Sequence, residues 1–443
     1  MTATAEERDF SDWERQISTA GACSHPIRLR GRITAVDLAT GEAATSYDTA
    51  SEPGGVLHVA CGNRRESACP ACSAIYKRDA RQLIRAGLIG GKGLPVSVAE
   101  HPCVFATFTA PSFGPVHARR ERGGKVLPCR PRRDARRRVC PHGRDISCPV
   151  RHAPDDPRLG RPMCPDCFDY EAAVVFNACA PQLWRRFTTY LPRELARLGG
   201  ITQRQFRATC RPRFVKVVEY QARGVLHYHA IIRLDLATDD DSYAPPPDRW
   251  TADLLADAVT AAASLAAVVV DVGDTGRTLR LRFGKQTDTR VIRSGTATAL
   301  SRNAVANYIA KYATKDPDVT GMPDYRLRSA SELRELRCPP HTRRMMETAW
   351  GLGYRRWAHQ LGRGGHFLTK SRRFSTTFGY LCGQRIAHRR AQRHPDGELD
   401  PWGRKIDETT VLFLAEWSYA GTGYQAADAH ALALMSADSA RSR

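Results

Sequence analysis

The sequence lacks an apolar run long enough to cross a membrane. Its longest apolar stretch, residues 254–272, is interrupted by Asp257, Ser264 and Asp271, whereas a membrane span needs about 20 residues that are nearly all apolar. The N-terminal residues also lack the apolar segment of a signal peptide. We therefore expect a cytoplasmic protein with no membrane partner.

The sequence also lacks a phosphate-binding loop of the form GxxxxGK followed by Ser or Thr, so it predicts no built-in helicase. Acidic residues are in deficit, because 67 Lys and Arg face 46 Asp and Glu and leave a net charge of +21. This excess predicts a polyanionic partner, and nucleic acid fits it best. Hydrophobic residues make up 42% of the chain, which excludes wholesale disorder.

The pattern of apolar residues predicts three regions. Residues 1–100 form an N-terminal cysteine-containing module, residues 101–320 an α+β domain, and residues 321–443 a basic C-terminal region that binds DNA. Over residues 101–320 the order of predicted elements is strand, helix, strand, strand, helix, strand, helix. This order fits a split βαβ domain with a central antiparallel sheet. A loop-like insertion at about residues 125–170 interrupts it, and Pro181 and Pro192 are expected to kink or divide the helix that follows.

A predicted β-hairpin brings three polar side chains together. Gly224 suits the left-handed position of a three-residue loop at residues 222–224. If Gln221 pairs with Val225, Glu219 lies opposite His227, and His229 points to the same face of the sheet. Two imidazoles and a carboxylate on one face predict a site for a divalent ion, Mg²⁺ or Mn²⁺. Strand histidines are otherwise often ordinary half-buried residues.

A predicted helix over residues 302–315 carries Tyr308 and Tyr312 one turn apart on one face. Lys311 and Lys315 form a second pair on the adjoining face. Either the tyrosines are an aromatic core stripe beside solvated lysines, or a tyrosine is a nucleophile that nearby positive charge activates. Tyr312 is slightly favoured as the nucleophile, because it lies between the two lysines.

The cysteines predict about two structural zinc ions. Because no export signal is visible, close cysteine pairs indicate metal binding and not disulfides. The first site combines Cys69 and Cys72 with Cys61 and with Cys23, for which His25 is an alternative.

The second predicted zinc site lies in the insertion. Its firm half is Cys164 and Cys167, and Cys140 and Cys148 are preferred as the other half. Three further residues compete for these positions: His142, His152 and Cys129. Because four protein ligands leave no open position, both zinc ions would be structural.

Two segments are rich in basic residues, residues 117–138 and residues 355–373. In the second segment Trp357, Phe367 and Phe374 interleave with the charges. This combination is typical of a surface that contacts the DNA backbone and stacks on bases, although charge runs are usually only solvated faces.

Three motifs together resemble the HUH endonuclease superfamily of rolling-circle replication initiators. The pair His227-Tyr-His229 resembles the HUH motif, and Tyr308-Ile-Ala-Lys-Tyr312 resembles the catalytic Y-x-x-K-Y helix, including its two-tyrosine form. The strand that ends in Thr109-Ala-Pro111 is similar to the first motif of the superfamily. More specifically, the chain resembles the Rep initiators of actinobacterial plasmids and integrative elements over nearly its whole length. The matching segments begin at Cys61, Cys69, Thr109, Gly160, Arg233 and Gly365.

The resemblance implies a mechanism. A metal ion polarises the scissile phosphate of single-stranded or cruciform origin DNA, and a tyrosine attacks to form a 5′-phosphotyrosine link. The freed 3′-OH primes synthesis, the strand is later rejoined, and a host helicase and polymerase assist. Two alternatives remain at this stage, a two-tyrosine HUH transposase and a non-enzymatic zinc DNA-binding regulator. The sequence predicts no oligomeric state.

Overall fold

A computed structural model describes residues 5–132, 138–237, 243–292, 302–314, 321–323, 325–395, 397–406, 409–425 and 430–436, with only the backbone for residues 5–10, 274 and 312–314. The helices are α1 (Ala5–Thr19), α2 (Pro70–Ile89), α3 (Tyr170–Leu198), α4 (Gln203–Thr209), α5 (Ala252–Leu265), α6 (Arg302–Thr314), α7 (Ala330–Glu335), α8 (Pro340–Gly351) and α9 (Phe378–Arg393). The strands are β1 (Ile27–Asp37), β2 (Ala43–Asp48), β3 (Leu57–Val59), β4 (Cys103–Thr109), β5 (Arg120–Arg122), β6 (Lys125–Leu127), β7 (Cys210–Tyr220), β8 (Leu226–Leu236), β9 (Ala267–Asp271), β10 (Thr278–Arg282), β11 (Thr287–Val291), β12 (Leu368–Lys370) and β13 (Val411–Thr422).

The chain divides into two compact units. One combines Met1–Ala80 with Thr377–Arg443, and the other spans Arg81–Thr376. In the first unit the long strand β1 pairs antiparallel with β13 along its whole length and also with β2 and β3. The C-terminal strand therefore completes a sheet that N-terminal residues begin. For this reason the unit boundaries differ from those predicted at residues 100 and 320.

The second unit is built on a five-stranded sheet with the order β11-β4-β8-β7-β12. All four pairings in this sheet are antiparallel, so the predicted central antiparallel sheet and mixed α/β class are confirmed. Strand β12 comes from the predicted C-terminal region, yet it pairs with β7 through Leu368 and Val217. A part of that region therefore belongs to the central sheet.

Helix α3 covers one face of this sheet. Phe108 of β4 contacts Trp184 and Phe187 of the helix, with ring centroids 5.5 and 4.8 Å apart. Tyr228 of β8 faces the same helix and contacts Trp184. The helix runs without interruption through Pro181 and Pro192, so the prolines do not divide it, and the alternative expectation of a kink stays a prediction. Burial of its apolar face against the sheet offsets the backbone hydrogen bonds that the prolines cannot donate.

A buried charged group ties β8 to the segments before β4. Arg233 is fully buried, and its guanidinium donates to both carboxylate oxygens of Asp235 at 2.6 and 2.8 Å. The guanidinium also donates to the carbonyl of Gly87, and His101 lies 2.7 Å from the Asp235 carboxylate. Burial alone would raise the pKa of Asp235, but hydrogen bonds from His101 and Arg233 hold this pKa below its usual value.

Candidate functional site

The β7–β8 hairpin has the predicted register. Glu219 pairs with His227 across the ladder, and the next pair on the same face is Val217 with His229. The loop closes through a hydrogen bond from the Gln221 amide to the Val225 carbonyl, 2.9 Å long. Gly224 has a φ of 75°, which is the left-handed conformation that glycine adopts without strain.

Glu219, His227 and His229 share the sheet face opposite α3. Atom Nε2 of His229 lies 3.3 Å from Oε2 of Glu219, and the two imidazole centroids are 4.5 Å apart. His229 is buried, while Glu219 and His227 are partly exposed. The site is therefore open enough for a ligand to approach, and its floor is closed.

Threonines of β4 orient the two imidazoles. Thr107 Oγ1 lies 3.3 Å from Nδ1 of His229, and Thr109 Oγ1 lies 3.4 Å from Nδ1 of His227. Gln221 also approaches Nδ1 of His227 at 3.4 Å. Because these contacts occupy the Nδ1 atoms, the Nε2 atoms remain as candidate metal ligands. At metal sites the second ring nitrogen of a ligating histidine usually has such a hydrogen-bond partner. Sequence reasoning missed both threonines, although the period of two along β4 places them on this face.

The donor set suits a divalent ion, since one carboxylate oxygen and two imidazole nitrogens converge on a site that leaves room for water or phosphate oxygens.

Helix α6 is held against the same unit by its first residue. Arg302 is buried and donates to the carbonyls of Leu88 and His101 at 3.2 and 3.3 Å. Its neighbour Asn303 accepts a hydrogen bond from Arg85. These contacts fix where the helix begins and hence which residues face the sheet.

Tyr308 does not belong to the apolar face of α6. That face is formed by four buried residues: Val305, Ala306, Ile309 and Ala310. Tyr308 is 44% exposed, and its ring meets His229 at a centroid distance of 5.7 Å. The alternative of an aromatic core stripe therefore does not hold for Tyr308. Lys311 is exposed.

Two other predicted residues of this helix, Tyr312 and Lys315, lie partly or wholly outside the described part of the chain. The backbone of Tyr312 lies in α6, but its side chain is outside the described part of the chain, and Lys315 lies outside the described residues altogether.

The structure brings Cys23, Cys61, Cys69 and Cys72 together, and we call them the first cluster. The Cys23–Cys69 and Cys61–Cys72 sulfur distances are both 3.7 Å. Four sulfurs around one tetrahedral zinc at about 2.3 Å from it would be about 3.8 Å apart. The cluster therefore fits a Cys₄ zinc site. It is assembled from residues that follow α1 and β3 and from the start of α2.

In the insertion the grouping differs from the prediction. Cys140, Cys164 and Cys167 join His142 and not Cys148, and we call these four residues the second cluster. His142 Nδ1 lies 3.2 Å from Cys167 Sγ and 3.7 Å from Cys164 Sγ. Cys148 is instead held near Cys129, because Arg130 and Cys148 form a β-bridge. The spacing of ligands along the chain could not reveal this bridge.

Cys148 lies in a third cluster with His117, Cys129 and His152. From the sequence, Cys129, His142 and His152 are alternatives for one site. The structure instead places Cys129 and His152 in the third cluster and His142 in the second.

The aromatic residues of the basic segment at residues 355–373 are mostly unavailable for base stacking. Phe367 is 9% exposed and Phe374 is fully buried. Arg363 is also buried and lies over the Phe367 ring at 4.0 Å. Arg355 and Arg356 are exposed, so charge and not stacking is what this segment offers to a partner.

Comparison with known proteins gives the class of this chain. Residues 9–438 match the model of a protein family described as "Replication initiator protein, pSAM2" (RepSA). The chain therefore belongs to this family of replication initiator proteins. It is 44% identical over 436 residues to a replication initiator protein from Streptomyces ambofaciens, a comparison that covers 96% of this chain and 89% of that protein. No solved structure matches the chain.

None of the described helices combines the length and apolar character required for a membrane span.

Proposed function

We propose that this replication initiator is a rolling-circle nickase of the HUH type, with a split βαβ catalytic domain. The observation that carries the proposal is the position of Tyr308 beside His229, on the sheet face that also holds Glu219 and His227. A hydroxyl nucleophile, a candidate metal site and an open approach are thereby combined in one place. Membership in the family supports DNA as the substrate.

Glu219, His227 and His229 would hold one divalent ion, Mg²⁺ or Mn²⁺. When bound, this ion supplies a Lewis acid for a phosphodiester oxygen. The β4 threonines keep the imidazoles oriented so that Nε2 faces the ion. The carboxylate of Glu219 supplies a negative charge that attracts a divalent cation to this face.

Tyr308 attacks the scissile phosphorus. Its Oη forms the new P–O bond, the bond from phosphorus to the 3′ oxygen breaks, and the 5′ end remains linked to the tyrosine. The phenolic proton passes to solvent and the leaving 3′ oxygen takes up a proton, so the freed 3′-OH is ready for a polymerase. The reverse reaction later rejoins the strand.

We take Tyr308 as the attacking residue because its ring lies beside His229, whereas the sequence slightly favours Tyr312, whose side chain lies outside the described part of the chain. Tyr312 follows one turn later on α6 and would accept the strand at termination. Lys311, and Lys315 beyond it, would contribute positive charge that stabilises a phenolate and the phosphorane.

The first and second clusters would each bind one structural zinc ion, which leaves the catalytic role to Mg²⁺ or Mn²⁺. A cytoplasmic location and dependence on a host helicase and polymerase complete the proposal, since the sequence has no phosphate-binding loop of its own.

The direct test is incubation of the full-length protein with labelled single-stranded fragments of its own replicon and Mn²⁺ or Mg²⁺. A nick and a protein–DNA adduct that survives denaturation are expected. The variant with His227→Ala and His229→Ala should lose both while duplex origin binding stays. His388→Ala, at an exposed histidine of α9, is the matched control. Full nicking by the double variant refutes the metal assignment, and no cleavage of any fragment by the wild type indicates a regulator.

A further inference from the structure

The insertion, together with His117 just before it, carries more ligands than one zinc ion needs. Eight Cys and His residues fall into two groups of four, and within each group all ligand atoms lie within 4.8 Å of one another. In chain order the ligands alternate in pairs: His117 and Cys129 belong to the third cluster, Cys140 and His142 to the second, Cys148 and His152 to the third, and Cys164 and Cys167 to the second. We infer that the insertion binds two zinc ions in this interleaved arrangement, the additional ion being held by His117, Cys129, Cys148 and His152.

The geometry of the third cluster fits tetrahedral zinc. Cys148 Sγ and His152 Nε2 are 3.5 Å apart. A thiolate and an imidazole nitrogen on one tetrahedral zinc ion are expected about 3.6 Å apart, given bonds of about 2.3 and 2.0–2.1 Å. The His117 and His152 rings approach edge to face with centroids 5.2 Å apart, as two imidazoles directed at one point would.

A carboxylate supports His152 from behind. His152 Nδ1 lies 2.7 Å from Asp156 Oδ2, so Nε2 is the nitrogen turned towards Cys148. Asp156 is held in turn by the Arg158 guanidinium at 2.8 and 3.0 Å. A zinc-binding histidine almost always donates its second ring N–H to such a partner, which fixes the ring and raises its basicity.

His117 offers an independent indication of metal binding at the third cluster. Its Nδ1 atom is buried and has no hydrogen-bond partner among the described residues. A buried polar atom without a partner is destabilising. A bond from Nδ1 to a metal ion at the third cluster would remove this destabilisation.

The described residues of the insertion form no hydrophobic core that could fold it without metal. Between residues 115 and 166 the buried side chains in the described part are those of Cys129, Cys140, Cys148, His152 and Cys164. Every one of them is a ligand of the second or third cluster. Chain segments this small need metal ions or cross-links where apolar burial is insufficient. Zinc at both clusters is therefore the source of stability for this segment, and the alternation of ligand pairs ties its loops to each other.

The backbone brings the third cluster together through contacts distant in sequence. The Cys129 amide donates to the Val150 carbonyl at 2.9 Å, and the His117 amide donates to the Arg161 carbonyl at 3.0 Å. The ligands of the third cluster are thus held by chain segments that lie before and after Cys140 and His142 of the second cluster.

Zinc stoichiometry tests this assignment. With all three clusters filled, native mass spectrometry and elemental analysis of the full-length wild-type protein should find three zinc ions per chain. The count of three rests on the zinc ions proposed above for the first and second clusters, so the third cluster is judged by its own variant: unchanged zinc content in folded Cys129→Ser protein would overturn the assignment. Cys129→Ser should lose at least one ion, whereas zinc bound by Cys140, Cys148, Cys164 and Cys167 would leave the content of that variant unchanged.

Two measurements guard against misfolding of the variant. Cys338→Ser, at a half-buried cysteine outside all three clusters, is the matched control and should keep three ions. Cobalt substitution of the wild-type protein needs no variant: the charge-transfer bands should report nine coordinated thiolates, four from the first cluster, three from the second and two from the third. Eight thiolates on two ions would contradict the assignment.

Discussion

The ring of Tyr308 meets the imidazole of His229 edge to face, with centroids 5.7 Å apart and planes at 82°. Phe105 completes this group, since its ring stacks on His229 and meets Tyr308 edge to face, both at 5.7 Å. One residue comes from β4, one from β8 and one from α6. Three motifs that are far apart in sequence therefore meet at a single aromatic contact.

Replacing Tyr308 by Phe should reduce the covalent adduct to background, because the variant keeps the ring contacts with His229 and Phe105 and loses only the nucleophilic hydroxyl. Adduct formation on labelled single-stranded origin DNA is the measurement. Tyr325→Phe, at a tyrosine of similar exposure, should behave as wild type. Undiminished adduct in Tyr308→Phe would move the nucleophile to another residue, and peptide mapping of the adduct would identify it.

Replacing Thr107 by Val should weaken Mn²⁺ binding by about 10- to 100-fold, because the imidazole of His229 loses the partner that orients it. The Mn²⁺ concentration that gives half-maximal nicking measures this change, and nicking at saturating metal should largely recover. Thr289→Val, on neighbouring β11 opposite Ala106, is the control. An unchanged metal requirement in Thr107→Val would show that the threonine does not position the histidine.

Replacing Gly160 by Ala should disturb the contact between the insertion and the β7–β8 turn. Gly160 has a φ of +80°, and a Cβ there would lie 2.2 Å from the carbonyl carbon of Ala222. We expect a loss of about 1–3 kcal/mol in unfolding free energy from the steric overlap, together with weaker nicking. Gly124→Ala has a similar φ of +74° in open space and isolates the backbone strain. If both variants lose the same unfolding free energy, the steric overlap with Ala222 is not the cause of the loss.

The burial of Lys216 leads us to expect that the stability of the folded protein depends on pH. It is buried between the rings of Trp184 and Tyr228, with its ammonium 4.8 and 4.5 Å from their centroids. Burial, with a smaller effect of Arg363, lowers the pKa of Lys216 to about 7. The unfolded chain keeps its pKa near 10.4 and binds more protons between these values, so stability rises with pH from about 7 upwards.

The comparison with Lys216→Met isolates this effect from other titrating groups. The wild type should gain about 3 kcal/mol relative to the variant between about pH 6.5 and about pH 9, since one pKa unit corresponds to about 1.4 kcal/mol. Urea unfolding of both proteins at the two pH values measures the difference. A difference that does not change with pH would mean that Lys216 titrates normally in the folded protein.

Local patterns in the sequence determined much of the candidate site. Alternation along β7 and β8 and one left-handed glycine were enough to place Glu219 opposite His227, because strand side chains have a period of two and a tight turn sets the register. The cysteine spacing likewise pointed to the four residues of the first cluster. The helix that carries Tyr308 followed from its apolar period.

Only the tertiary structure decided what depends on contacts between distant segments. Cys148 joins Cys129 and two histidines because a β-bridge at Arg130 turns it away from Cys140, and no spacing rule contains that bridge. Strand β13 completes the sheet of β1 because backbone hydrogen bonds form between any two extended segments that packing brings together. The burial of Arg302, Val305 and Ile309 sets the rotation of α6 about its axis. Because of this rotation, Tyr308 lies outside the buried face of the helix and contacts His229.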